Sequence, residues 1–118
     1  MLYFDKRFNM IKKEELPACP VATTVNLIGN KWKLLILRNL FLRPYRFNEL
    51  KKSLEGISQK VLTENLKDMI EKGLITRIEY DEKILHTEYK LTELGQSMAP
   101  IMQALENWGN MYQQTINS

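Results

Sequence analysis

A chain of 118 residues, 44% hydrophobic and 26% charged, holds one domain with a real core and excludes a disordered tail, a collagen-like repeat and a coiled-coil rod. One cysteine, Cys19, and one histidine, His86, exclude an intrachain disulfide and a Cys/His zinc site, so neither an enzyme nor a cofactor is expected. The formal charge of +3 is uneven: eleven basic and five acidic residues lie from Lys31 to Arg77, whereas no Lys or Arg follows Lys90.

Residues 1–18 mix Leu2, Tyr3, Phe4, Phe8, Met10, Ile11 and Leu16 with charges and read as an arm that packs on something. Pro20 suits the first turn of a helix, where its missing N–H costs nothing, and that helix runs to about Ile28 with Val21, Val25 and Ile28 on one face. Gly29-Asn30 ends it. A second helix, about Lys31 to Leu42, is apolar nearly all round and is expected at the centre of the core, with Pro44 as its stop. Phe47, Leu50 and Leu54 mark a short third helix, followed by the tight connection Glu55-Gly56-Ile57. Ser58 reads as the N-cap of a fourth helix with the stripe Leu62, Leu66, Met69 and Ile70, closed by Gly73. The period then drops to two: Thr76, Ile78 and Tyr80, then Leu85, Thr87, Tyr89 and Leu91, predict a two-stranded hairpin whose alternation turns Tyr80 and Tyr89 inward. Thr92 caps a last helix, with Leu94, Met98, Ile101, Met102, Leu105, Trp108 and Tyr112 on one side and a kink or break near Ser97 ahead of Pro100.

This element order is that of a winged helix-turn-helix domain, α+β and mostly helical, whose second motif helix enters the major groove by its N-terminal end. The Ser58 helix is then the recognition helix. Its outward residues Gln59, Lys60, Thr63 and Lys67 are candidates for base and phosphate contacts, because Gln pairs with adenine and Lys with guanine or phosphate. Ser58 and the helix N-terminus can seat a phosphate. Lys31, Arg46, Lys83 and His86 are further DNA-binding candidates, the last two on the wing. The other reading of the same residues is an ordinary solvated surface.

Several stretches resemble the HxlR family of bacterial transcriptional regulators: Cys19-Pro20-Val21, Leu27-Ile28-Gly29-Asn30-Lys31-Trp32-Lys33, Arg46-Phe47-Asn48-Glu49-Leu50, Gly56-Ile57-Ser58-Gln59-Lys60-Val61-Leu62-Thr63, Gly73-Leu74-Ile75, Glu88-Tyr89 and Leu91-Thr92-Glu93-Leu94-Gly95. The resemblance covers about Cys19 to Met111 without gaps. It implies a MarR-like winged helix that binds double-stranded operator DNA as a homodimer and represses or activates transcription. It also implies that the Ser58-Gln59-Lys60 start reads DNA and that the terminal helices form the dimer interface. Some members sense thiol-reactive electrophiles through a cysteine directly before a proline, as in Cys19-Pro20. The wing departs from the family pattern: Lys83-Ile84-Leu85-His86-Thr87 has no proline, and His86 stands where the family carries arginine.

The domain divides into an arm (1–18), a helix-turn-helix core with wing (19–91) and a dimerisation helix (92–118). Val21, Val25, Ile101, Leu105, Trp108 and Tyr112 are the expected interface between two copies, and a palindromic operator is the expected partner, its half-sites about one DNA turn (~34 Å) or a multiple apart. Four residues keep more than one reading. Cys19 is a redox sensor or a buried interface thiol. His86 is a phosphate contact, plain surface or a pH switch. Trp108 and Tyr112 are interface core or a ligand cage, and a small-molecule effector stays open. A protein-binding adaptor without specific DNA readout is the alternative function, while RNA binding lacks outward aromatics for base stacking. No apolar run exceeds four residues and residues 1–20 lack a secretory apolar region, so a cytoplasmic protein without membrane contact is expected.

Overall fold

The computed structural model describes residues 19–81, 83 and 86–117. The expected arm, residues 1–18, lies outside them, as does Leu85 of the expected second wing strand. Helix α1 (Pro20–Ile28) begins on its proline, and α2 (Lys31–Leu42) is capped by Asn30, whose side-chain oxygen accepts the Lys33 N–H at 2.8 Å. A two-residue strand β1 (Tyr45–Arg46) leads into α3 (Phe47–Ser53). Gly56 turns the chain at φ 89°, a conformation that favours glycine, and α4 (Gln59–Glu71) starts from the Ser58 cap, which accepts the Val61 N–H at 3.1 Å.

The end of α4 is a Schellman closure. Gly73, at φ 79°, donates to the Ile70 carbonyl, and Leu74 donates to that of Met69, both at 3.0 Å. Strands β2 (Ile75–Tyr80) and β3 (His86–Leu91) form the antiparallel wing, and Thr92 caps the short α5 (Glu93–Gln96). The last helix, α6 (Ala99–Asn117), starts after a break at Ser97–Met98, which places Pro100 in its first turn, where no N–H is needed.

Two features differ from the sequence expectation. The sheet has three strands in the order β1-β3-β2, because Tyr45 pairs with Tyr89 and Arg46 with Glu88. A two-residue strand is too short to show alternation. Tyr80 and Tyr89 do not share a face, since the register pairs Tyr80 with His86 but Tyr89 with Arg77. Alternation within each strand is legible, but the phase between strands comes from the turn, and a shift of one residue flips a side chain across the sheet.

The core gathers Ile36, Leu37 and Leu40 of α2, Leu50 and Leu54 of the α3 end, Leu62, Leu66 and Met69 of α4, and Leu74, Ile75 and Leu91 at the root of the wing. Each fully buried side chain of this size contributes ~1.5–3 kcal/mol. Met98 closes the bottom of that core, but α6 itself has no buried residue. No helix among the described residues is long and apolar enough to cross a membrane.

Candidate nucleic-acid interface

Helix α4 is built so that packing and reading use opposite sides. Leu62, Leu66 and Met69 are buried, and Gln59, Lys60, Thr63, Glu64 and Lys67 are exposed. The first turn and a half therefore presents Gln59, Lys60 and Thr63 near the capped N-terminus, while Lys67 stands one turn farther along. Thr63 and Lys67 also line a cleft of about 220 Å³ between α4, the start of α3 and the wing, floored by Phe47, Leu66, Ile70 and Tyr89 and rimmed by Glu71 and Arg77. Nothing in the sequence marks Arg77, because an arginine alternating on a strand looks like any solvated residue. Its ion pair with Glu79, 3.3 Å between two exposed side chains, is worth ~0–1 kcal/mol and leaves it available.

The remaining basic candidates surround this helix unevenly. Lys83 lies exposed at the hairpin bend. Arg46 is exposed at the start of α3, where its backbone N–H donates to Glu49 Oε1 at 2.8 Å. That bond, with the Arg43 side chain, holds the Glu49 carboxyl below the usual carboxylate range. Arg43 itself stacks over the Tyr45 ring at 3.7 Å. Lys31 sits over the Trp32 ring at 4.6 Å, at the N-terminus of α2. His86 is not on the surface that faces α4: it stacks on Tyr80, with ring centroids 4.7 Å apart, on the opposite side of the wing from Arg77 and Tyr89. Its Nε2 is 3.9 Å from Glu88 Oε2, and its side chain is only 15% exposed.

Polar residues that carry no sequence signature fasten α4 to α2. Asn30 donates to Asn65 at 3.1 Å, and Asp68 accepts from both Lys33 and Lys72, the latter at 3.0 Å. Partial burial works to raise the Asp68 carboxyl, yet hydrogen bonding and the charges of Lys33 and Lys72 together bring it below its usual range. Only the folded chain brings these side chains together, across 35 residues of sequence.

Large apolar side chains are also exposed on α1 and α6. Val21 and Val25 on α1 are 70% and 56% exposed, and Ile101, Leu105, Trp108, Tyr112 and Ile116 recur along one stripe of α6, all exposed. Trp108 and Tyr112 stack with their centroids 5.2 Å apart. Met111 and Ile116 extend the stripe beyond the residues expected from sequence. Cys19 is exposed at the N-cap of α1 and makes no side-chain cap bond.

Residues 27–117 match the profile described as HxlR-like helix-turn-helix. The chain is 36% identical over 104 residues to the uncharacterised HTH-type transcriptional regulator YdeP of Bacillus subtilis strain 168, covering 88% of this chain and 81% of that protein. It is 44% identical over 94 residues to an uncharacterised HTH-type transcriptional regulator of Methanothermobacter thermautotrophicus, covering 80% and 72%. Among solved structures, the redox regulator HypR in its reduced form superposes with a TM-score of 0.78 at 30% identity, covering 84% of this chain and 98% of that one.

Proposed function

From the premise that the chain belongs to the HxlR-like helix-turn-helix family of DNA-binding transcriptional regulators, we propose that it acts as a cytoplasmic homodimer on a palindromic operator, reading bases with the first turns of α4. The observation that carries this reading is the division of α4: an apolar side sunk in the core and a polar, partly basic side left exposed at a capped N-terminus. Gln59, Lys60 and Thr63 meet base edges. Lys67, Arg77, Arg46 and Lys83 meet phosphates on either side of the groove, with Ser58 and Lys31 at the rim. His86 serves the wing by packing under Tyr80 rather than by reaching a phosphate.

The two kinds of contact leave different signatures. Gln59→Ala costs ~1–3 kcal/mol and changes the preferred base at one operator position. Lys83→Ala weakens all sequences alike and reduces the salt slope by about one. Binding-site selection from a random duplex pool, repeated with each variant, measures both. A Gln59→Ala protein that ranks every operator variant as the wild type does would show that α4 only positions the protein, with specificity coming from DNA shape. Salt-insensitive capture of a protein partner without sequence selection would favour the adaptor reading.

A response to electrophiles through Cys19 is supported by its exposure at a helix N-cap and by the likeness to a redox regulator. Diamide or a quinone then weakens operator binding, and Cys19→Ser abolishes that response with basal binding intact. A mutant that still responds rules the thiol out.

A further inference from the structure

We propose that Asn30 and Lys33 of the α2 start, with Asn65 and Asp68 of α4, form a two-rung polar clamp whose work is to set the position of the DNA-reading helix. The proposal rests on the reading of α4 as the base-contacting element.

The core-facing side of α4 offers Leu62, Leu66 and Met69, with Val61 and Ile70 half-buried beside them, and apolar packing is non-directional. A helix held by such contacts alone can slide or roll by fractions of an ångström at little cost, whereas hydrogen bonds to base edges tolerate little of that. The clamp supplies direction. Asn65 and Asp68 are spaced i, i+3 and so share one face of α4, and Asn30 and Lys33 have the same spacing on α2, so the two rungs run side by side.

The first rung has no freedom in its amide orientations. Asn30 Oδ1 accepts the Lys33 backbone N–H at 2.8 Å, so its Nδ2 is left to donate to Asn65 Oδ1 at 3.1 Å. Asn65 Nδ2 then donates to the Val61 carbonyl at 2.8 Å, within the same turns that present Gln59, Lys60 and Thr63. Backbone groups terminate the relay at both ends. In the second rung, Asp68 Oδ2 takes Lys33 Nζ, from a side chain only 12% exposed, and Oδ1 takes Lys72 Nζ at the far end of α4. None of the four belongs to the apolar core, so their loss opens no large cavity.

Two substitutions isolate the clamp. Asn30→Ser keeps a strong N-cap for α2 but cannot reach Asn65. Asp68→Asn keeps the shape and removes the charge. The probes are the duplex that wild-type protein enriches from a random-sequence pool and a scrambled duplex of equal length. The clamp predicts that the double variant stays folded and loses about tenfold or more in the ratio of specific to scrambled affinity, the scale of one or two base contacts, with discrimination relaxed at several positions together. Affinity for the scrambled duplex holds or rises, because Asp68→Asn removes a negative charge. A ratio within twofold of wild type in the folded double variant overturns the clamp. If the double variant unfolds, Asn30→Ser alone decides by the same ratio. Gln59→Ala, run in parallel, separates the two ideas: if it shifts base preference while the clamp variants leave the ratio unchanged, the clamp is wrong and the reading of α4 stands. If neither moves it, or the wild type enriches no sequence, both fall.

Discussion

Trp108→Glu is expected to turn the proposed homodimer into a monomer and to lower its affinity for a palindromic operator by about 10²–10⁴-fold, the range by which joining two binding modules raises avidity. The expectation comes from α6, nineteen residues of which none is fully buried among the described residues, although Met102 packs half-buried against the core. Ile101, Leu105, Trp108, Tyr112 and Ile116 stay exposed along one stripe, and Val21 and Val25 of α1 stay exposed as well. A contiguous apolar surface of this kind marks an interaction site. The segment from Leu91 onward carries no Lys or Arg, so two copies meeting across a two-fold axis bring no cationic repulsion there. At 60% exposure Trp108 contributes little to folding of the lone subunit, so circular dichroism of the helix-turn-helix portion is expected to survive the change. Sedimentation equilibrium and operator titration check the two halves of the prediction. A wild type that is monomeric at micromolar concentration, or a glutamate variant that still dimerises, refutes it.

Gly95→Ala carries the second large effect, on stability. A Cβ at Gly95 would lie 2.1 Å from the Leu74 carbonyl oxygen and 3.2 Å from Leu91 Cδ2. The oxygen cannot step aside cheaply. It accepts the Thr92 N–H and the Thr92 hydroxyl, both at 3.1 Å, and the same hydroxyl reaches the Gly73 carbonyl at 2.5 Å. Alanine improves intrinsic helix propensity by ~1 kcal/mol, but overpacking against pinned backbone costs ~1–3 kcal/mol and occasionally more, and the steric term wins here. Net destabilisation of ~2 kcal/mol is expected, a sizeable share of the 5–15 kcal/mol that holds a typical domain folded. Urea denaturation reads it as a lower midpoint, and an unchanged or raised midpoint would mean that α5 can move away from the sheet.

What was legible in the sequence was whatever is encoded locally. The Leu62, Leu66, Met69 stripe, the Ser58 and Thr92 caps, and Gly73 as the end of α4 are each short-range patterns with one physical meaning, and the structure repeats them. Pro100 announced the interruption ahead of α6 in the same way. Tertiary facts were not legible. Strand β1 has two residues and no period. The opposite facing of Tyr80 and Tyr89 depends on inter-strand register. Asn65 and Asp68 look like ordinary polar helix residues until α2 is laid beside them. The apolar stripe of α6 was readable as a stripe, but helical spacing alone does not distinguish a face that packs on its own subunit from one left for another.

The knot of hydrogen bonds around Leu74 has a kinetic consequence. Thr92 reaches the carbonyls of both Gly73 and Leu74, so the turn that closes α4, the roots of both wing strands and the start of α5 are tied at one point. Opening any one of them means releasing the others, and such a unit opens cooperatively rather than by local fraying. In the proposed DNA complex, α4 and the wing therefore arrive with their spacing already set. The entropy of arranging them relative to each other is lost once, when the chain folds, and not again at each binding event.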